Sequence, residues 1–465
     1  MTHGKLTPLA LALAAALVAP AQAQTSSELG KELQALKDRI AELEKKLAEQ
    51  QQAGAATRPA GAQWGMTPEQ VGEFNRIAVK TEAMEDARDA SGLKLLKFSG
   101  YMDPTWVYNR NQGRSGAQFL SRAEDDGYNY DNSYFGSVSL DFQKETDSGT
   151  KWRLTLVPNR GVGTVFNGNS VVHEASVSIP LTDLQTRFIA GQIPDWSGYE
   201  YLQPTLNKLI THNLLFDFTL PTAYTGAGME ITSGKWIVKG VVGNMNTAMK
   251  PAGHKSPVVA YRVDYSRGEF QGFGFAGVHG KAANFRADET DETTDDPIYP
   301  NDIGKETTAH LFEFDAYFIR GDVTVQGQLS AGMQKKAAIT PSAAGRLRTA
   351  RWAGLSGLFG YKLDPRMEAV LRYDMIFNKK NGGGLLGYTS ADDRNGIGPD
   401  ANGDPDIGAN RSALSFGLSY LLNLNTTLKA EYRLDRASQP VFVNTADGSL
   451  RRNNSLLATS VVVSF

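Results

Sequence analysis

The sequence predicts an all-β fold: a transmembrane antiparallel β-barrel of about 16 strands, preceded by an N-terminal coiled-coil helix. Three observations predict it. The chain opens on a secretory leader, residues from Lys97 onward alternate apolar with polar, and connections alternate between tight turns and long loops.

The leader occupies residues 1–23. His3 and Lys5 precede an apolar run from Leu9 to Val18, and Ala21-Gln22-Ala23 supplies the small residues of a cleavage site. The run is too short for a membrane-crossing helix, which needs about 20 apolar residues, so it reads as a signal peptide. No later segment approaches that length. The chain has no cysteine, which excludes disulfides and thiolate metal sites and suits passage through an oxidising compartment. A formal net charge of −2 over 465 residues gives no ground for a nucleic-acid partner.

Residues 24–50 are expected to form the coiled coil. Leu29, Leu33, Leu36, Ile40, Leu43 and Leu47 are spaced alternately by four and three, the heptad period of a two-residue seam. Leu33, Ile40 and Leu47 fall at a; Leu29, Leu36 and Leu43 fall at d. Arg39, set six and five residues from Leu33 and Glu44, can reach a glutamate on the next helix while its stem covers the core. That pattern predicts a homotrimer joined by Leu33, Leu36, Arg39, Ile40, Leu43, Glu44 and Leu47.

Residues 51–66, rich in Gln, Ala and Gly around Pro59, read as a flexible linker. A short amphipathic helix is expected over 67–92. Thr67-Pro68-Glu69-Gln70 supplies an N-cap, a proline at N1 and a glutamine at N3. Val71, Phe74, Ile77, Ala78 and Met84 form its apolar face, and Gly92 ends it.

The barrel is expected over 93–465. Val138, Leu140 and Phe142 alternate with Ser139, Asp141 and Gln143. Phe312, Phe314, Ala316 and Phe318 do so with Glu313, Asp315 and Tyr317. Successive strand side chains point to opposite faces, so each strand has one apolar and one polar side. Tight turns fall near Asp147-Ser148-Gly149, Leu181–Leu184, Ser233-Gly234, Arg267-Gly268, Arg320-Gly321, Asp364-Pro365 and Asn423–Asn425. Between them run long connections near 111–133, 159–170, 194–223, 244–256, 281–307, 333–348, 378–410 and 436–454. Short turns on one side and long loops on the other are the asymmetry of a membrane barrel.

Two stretches carry a family resemblance: Ser99-Gly100-Tyr101-Met102-Asp103-Pro104, and the segment from Gly191-Gln192 through Gly198-Tyr199-Glu200 to Pro221–Gly226. With them the chain resembles the trimeric outer-membrane porins, especially the phosphate-selective porin O/P type, and most closely a proteobacterial porin-like family of unknown function. The resemblance implies a third external loop folded into the lumen. Residues 194–223 are that loop, with Asp195, Glu200, Lys208 and His212 as candidate constriction residues. It also implies that the last strand, ending at Phe465, is read by the outer-membrane assembly machinery.

Alternation places Lys151, Arg153, Arg187, Lys239, Arg262, Arg372, Lys429 and Arg433 on the lumen face. It also places Glu174, Asp264, Glu313, Asp315, Glu368, Asp374, Glu431 and Asp435 there. These charges are expected to be solvated by the water of a wide barrel. The signs cancel, and no ladder of unopposed cations marks a phosphate channel.

Nothing points to an enzyme or a cofactor. The histidines show no metal-ligand spacing such as H-E-x-x-H. Arg320-Gly321-Asp322 is explained as a turn. Asp400, Asn402, Asp404 and Asp406 alternate as in a calcium loop, but Pro405 stands where such a loop needs glycine. The expected function is passive diffusion of small hydrophilic solutes or ions across a bacterial outer membrane. An even strand number puts both barrel ends, and hence the arm, in the periplasm. The partners expected are outer-membrane lipid and further copies of the chain. The alternative is a structural tether whose coiled coil grips the cell wall.

Overall fold

The computed structural model describes residues 67–90, 94–120, 135–157, 171–284, 304–338, 342, 344–378 and 409–465. The expected leader, linker and heptads carrying Leu33, Leu36, Arg39, Ile40, Leu43, Glu44 and Leu47 lie outside the described residues. So does Asp400–Asp406. The chain divides into two units, Met1–Lys94 and Leu95–Phe465.

In the first unit, Pro68–Ala90 form helix α1. Its start is held reciprocally. The Thr67 amide donates to Gln70 Oε1 at 2.9 Å, and the Gln70 amide donates to Thr67 Oγ1 at 3.3 Å. Two of the amides that a helix start leaves without partners are thereby satisfied.

The second unit is the barrel. Its strands are β1 (Leu96–Met102), β2 (Thr105–Asn109), β3 (Arg114–Gln118), β4 (Val138–Glu145), β5 (Lys151–Leu156), β6 (Val172–Pro180), β7 (Thr186–Pro194), β8 (Ala223–Ser233), β9 (Trp236–Met245) and β10 (Val258–Ser266). They continue as β11 (Gln271–Ala283), β12 (Glu306–Arg320), β13 (Val323–Gln334), β14 (Ala350–Lys362), β15 (Met367–Phe377), β16 (Arg411–Asn423), β17 (Thr426–Ala437), β18 (Phe442–Val443), β19 (Leu450–Arg451) and β20 (Asn453–Ser464). Helix α2 (Leu214–Phe218) lies between β7 and β8. β18 and β19 pair only with each other, within the last long connection.

The other eighteen strands form one antiparallel sheet that closes as sixteen spanning strands. Two spanning strands are in pieces. β1 and β2 are separated by Asp103-Pro104, and proline has no amide to give a ladder. β3 and β4 are separated by residues 119–137. Here the structure differs from the expected 111–133 connection. The chain turns back at 110–113, with Gly113 at φ 56°, and β3 pairs with β2 before the chain leaves the wall again. Arg114-Ser-Gly-Ala-Gln118 has no apolar face to reveal it as a strand.

Closure joins the two ends of the barrel. Tyr101 is opposite Ser464, and Thr105–Asn109 run beside Leu456–Ser460. Gly100 and Phe465 exchange backbone hydrogen bonds of 3.0 and 3.1 Å. A Cβ on Gly100 would stand 2.6 Å from the Phe465 ring, so glycine there lets the terminal aromatic lie against the first strand. At the tight end, Gly321 takes φ 58° in the two-residue link between β12 and β13, which a primed hairpin turn requires. Arg320-Gly321-Asp322 is that turn.

The faces are inverted relative to a soluble protein. Phe312, Phe314, Leu329, Leu371 and Phe416 are exposed on the outside, whereas Glu313, Asp315, Gln328, Arg372 and Ser415 are buried on the inside. Surrounding hydrocarbon demands this arrangement, with every backbone group satisfied within a closed ladder. None of the described helices is long and apolar enough to cross a membrane; the strands do the crossing.

Candidate functional site

Residues 195–222, between β7 and β8, turn into the lumen and fasten to the inward faces of β13 to β17. The fastening begins at β17, where three alternate residues, Lys429, Glu431 and Arg433, share the inner face. Lys429 Nζ donates to the carbonyls of Pro204 and Asn207, both at 2.6 Å. Glu431 accepts from the amides of Ile210 and Thr211, both at 2.8 Å, and from the Thr211 hydroxyl at 2.6 Å. Arg433 donates to that hydroxyl at 3.0 Å and to the His212 carbonyl at 2.8 Å.

Arg372 on β15 grips the same stretch. Its Nη1 donates to Glu200 at 2.8 Å and to the Thr211 carbonyl at 2.7 Å, and its Nη2 donates to the His212 carbonyl at 2.9 Å. Asp374 holds the guanidinium from behind, at 3.0 Å. The side chains of Arg372, Asp374, Glu431 and Arg433 are 0% exposed. The expectation that inward charges are solvated therefore fails on this side of the barrel. The loop covers them, and its backbone carbonyls, amides and carboxylates replace the water.

Of the loop's four candidate side chains, Glu200 and Lys208 bind the facing wall, whereas His212 is held within the loop and Asp195 at its base. Glu200 pairs with Arg372 and accepts from the Asn213 amide at 2.5 Å. Burial pushes its carboxyl up to about 7, against the pull of Arg372. Lys208 is ion-paired with Glu368 on β15 at 2.6 Å. His212 is bound through Nε2 to the Tyr201 carbonyl at 2.8 Å and stacks on Phe216 at 4.1 Å. Asp195 accepts from the Tyr224 hydroxyl at 2.5 Å and from the Ser197 amide at 2.9 Å. Burial raises its carboxyl, which those hydrogen bonds oppose.

Apolar contacts seat the loop as well. Asn213 caps α2 by accepting from the Phe216 amide at 2.8 Å, which places Leu214, Leu215 and Phe218 in an internal cluster with Trp352 and Ile376. Leu215 fits against Gly354 of β14 and Leu209 against Gly417 of β16, where a Cβ would come within 2.3 and 2.2 Å of the respective leucine. Arg411 on β16 lies between the rings of Phe218 and Phe442, 4.9 and 5.2 Å away, so the last long connection joins the same packing.

The remaining charged residues from the sequence lie elsewhere on the lumen face. Arg262 makes a fork to Asp315 at 2.7 and 2.9 Å, contacts Asp264 at 2.7 Å, and donates to the Trp196 carbonyl at 2.7 Å. Arg153 pairs with Asp141 at 2.8 Å and Glu174 at 3.4 Å. Arg187 donates to the Gly149 and Ser178 carbonyls at 2.7 and 2.9 Å. Lys151 pairs with Glu145 at 3.7 Å and stays exposed. Glu313 accepts from Gln328 at 3.0 Å. Lys239 lies 5.1 Å from the Trp196 ring. A cavity of about 640 Å³ remains on this side, between β5–β12 and the loop, lined by Arg153, Glu174, Lys239, Arg262, Asp315 and Tyr201.

The sequence assigned no site role to Thr211, Asn213 and Gln328, nor to Tyr199, which it marks only as part of the Gly198-Tyr199-Glu200 motif. Tyr199 and Ser356 share a hydrogen bond of 2.6 Å, and Asn213 Nδ2 donates to Gln328 at 3.1 Å. Only the fold brings these positions together.

A sixteen-stranded antiparallel barrel with this inversion of faces has the fold of the outer-membrane porins. The chain belongs to the family described as protein of unknown function DUF3138, whose model matches residues 4–465. No curated protein matches the sequence. Among solved structures, the chain is similar to the in-vitro folded outer-membrane protein OmpT of Vibrio cholerae in its trimer form. Identity is 10%, covering 80% of this chain and 99% of that one, with a TM-score of 0.50. It is also similar to an anion-selective porin from Comamonas acidovorans (12% identity, 80% and 99% covered, TM-score 0.49). A third likeness is to the DcaP channel of Acinetobacter baumannii (10%, 80% and 97%, TM-score 0.47). At these identities the likeness concerns the fold.

Proposed function

We propose that the protein is an outer-membrane porin through which small hydrophilic solutes or ions diffuse passively, with the loop 195–222 as its constriction. The observation that carries this reading is the set of buried ion pairs and backbone hydrogen bonds that fasten the loop to the inner faces of β15 and β17. Such a fixed partition narrows a barrel without closing it. The cavity of about 640 Å³ beside it is the path. Asp195, Glu200, Lys208 and His212 then serve by fixing the loop, while Arg153, Lys239 and Arg262 face the solute.

In this reading the chain is a homotrimer, with the coiled coil of residues 24–50 as a periplasmic clasp, and the strand ending at Phe465 engages the assembly machinery. The lumen charges of both signs support no commitment to phosphate. The functional chemistry is exclusion and alignment by charge and size, with no bond made or broken.

The test is to reconstitute the mature protein in planar bilayers under a salt gradient. Repeated conductance steps in groups of three are expected, and their reversal potential reports charge preference. Folded protein that produces no steps would overturn the reading.

A further inference from the structure

The outer face of the barrel carries a pair of histidines that the pore does not use. His279 on β11 and His310 on β12 are direct register partners. They share the outward parity of Phe275, Phe312 and Phe314, near the external ends of their strands. Their Nδ1 atoms face each other at 3.1 Å.

That separation suits chelation. A divalent ion bonded to two imidazole nitrogens at about 2.0–2.1 Å, with an angle between 90° and tetrahedral, holds those nitrogens about 2.9–3.4 Å apart. The surroundings are built to orient one ring. The Tyr261 hydroxyl lies 3.3 Å from His279 Nε2, the kind of contact that fixes the tautomer of a ligating histidine. Tyr261 can lie across the strand because its register partner is Gly277. A Cβ at that position would stand 2.6 Å from the tyrosine hydroxyl. Phe312 closes the other side, its ring centre 4.8 Å from that of His279.

We propose that His279 and His310 form a two-nitrogen site for a borderline divalent cation of the zinc, nickel or copper class, with Tyr261 as a positioning residue. Imidazole favours such ions, whereas calcium and magnesium prefer oxygen. Without metal, one Nδ1–H donates to the other Nδ1. Binding takes both rings as the tautomer protonated at Nε2, so whichever ring carried the Nδ1 proton moves it to its own Nε2. On His279 that Nε2–H donates to the Tyr261 oxygen, leaving both Nδ1 lone pairs for the ion. Among the described residues no group of three or more ligands stands together; both histidines are half-buried near the strand ends, which leaves the ion's other positions open to solvent ligands. The ion would clamp β11 to β12 on the outer surface.

The test uses the full mature protein folded in detergent, titrated with zinc by calorimetry and with copper by electron paramagnetic resonance. One ion per chain and a two-nitrogen copper spectrum are expected. His279→Ala and His310→Ala should each weaken binding by more than about tenfold, since each leaves a single ligand. His173→Ala, a buried position on β6 beside the lumen cavity, should leave it unchanged. Tyr261→Phe should weaken zinc binding by about tenfold, within the range for lost outer partners, while keeping the two-nitrogen spectrum. Gel mobility before and after heating checks that each variant is folded. Zinc binding that survives in both folded histidine variants, or no bound ion in the wild type, would overturn the proposal. Neither result bears on conductance, so the porin reading stands or falls separately.

Discussion

Arg372 on the barrel wall and Thr211 in the infolded loop are joined twice, through the Thr211 carbonyl at 2.7 Å and its hydroxyl at 2.9 Å. Glu431 accepts hydrogen bonds from the amide and the hydroxyl of the same residue. Thr211, 1% exposed, is therefore held through every polar atom it has. Buried polar groups are stabilising only when all are paired, so the loop has one well-defined seat.

Arg372→Ala should unseat the loop. Asp374, and above about pH 7 the ionised Glu200, would remain buried without their partner at 3.0 and 2.8 Å, and breaking one side of a buried ion pair costs about 3–5 kcal/mol. The expected result is a lower melting temperature in detergent with larger, noisier conductance steps. Arg372→Lys should fall between, because an ammonium cannot reproduce the guanidinium fork.

Thr211→Val tests the hydroxyl alone. It removes the group shared by Arg372, Arg433 and Glu431 while keeping the side chain's shape. Hydrogen bonds to charged groups are worth about 1.5–3 kcal/mol, so a loss in that range is expected from denaturant melts. Thr211→Ser should restore most of it.

The glycine notches give an apolar counterpart. Gly417→Val must displace Leu209, and Gly354→Val must displace Leu215; overpacking of this kind costs about 1–3 kcal/mol. Gly357→Ala on the same strand as Gly354 has open space around its Cβ and should leave stability unchanged. Equal effects at all three positions would show that the loop is not seated there.

Glu200 gives the loop a pH dependence. Its carboxyl is raised from the ordinary 4.5 to about 7 by burial. Between those values the folded protein keeps a proton that the unfolded chain releases. Its stabilisation is thus fully present below about 4.5 and declines as pH rises towards 7. Melting temperatures of the wild type relative to Glu200→Gln should fall from pH 5 to pH 8. A constant difference would show that Glu200 does not titrate in that window.

The wall of the barrel was legible because it is local. Period-two alternation fixes which face Arg372 and Asp374 share, and glycine near Arg320 and Arg267 marks a tight turn without reference to the rest of the chain. The site was less legible because it joins residues far apart in sequence. Alternation says that Arg433 points inward, not that His212, 221 positions earlier, will cover it. Expecting water around such a charge was the natural inference from a wide barrel. A loop that narrows the pore also covers the wall behind it, and alternation along a strand carries no sign of that cover. β3 escaped notice for a different reason: flanked by the break at Gly113 and made of short or polar residues, it carries no apolar signal.

The most direct test of the account is the unit conductance of the protein with residues 200–210 removed, compared with the intact chain in the same bilayer and salt. If the fastened loop is the constriction, the shortened protein should give distinctly larger steps while keeping the heat-modifiable mobility of a folded barrel. Steps of unchanged size from a folded, shortened barrel would contradict the account and place the narrowest point elsewhere.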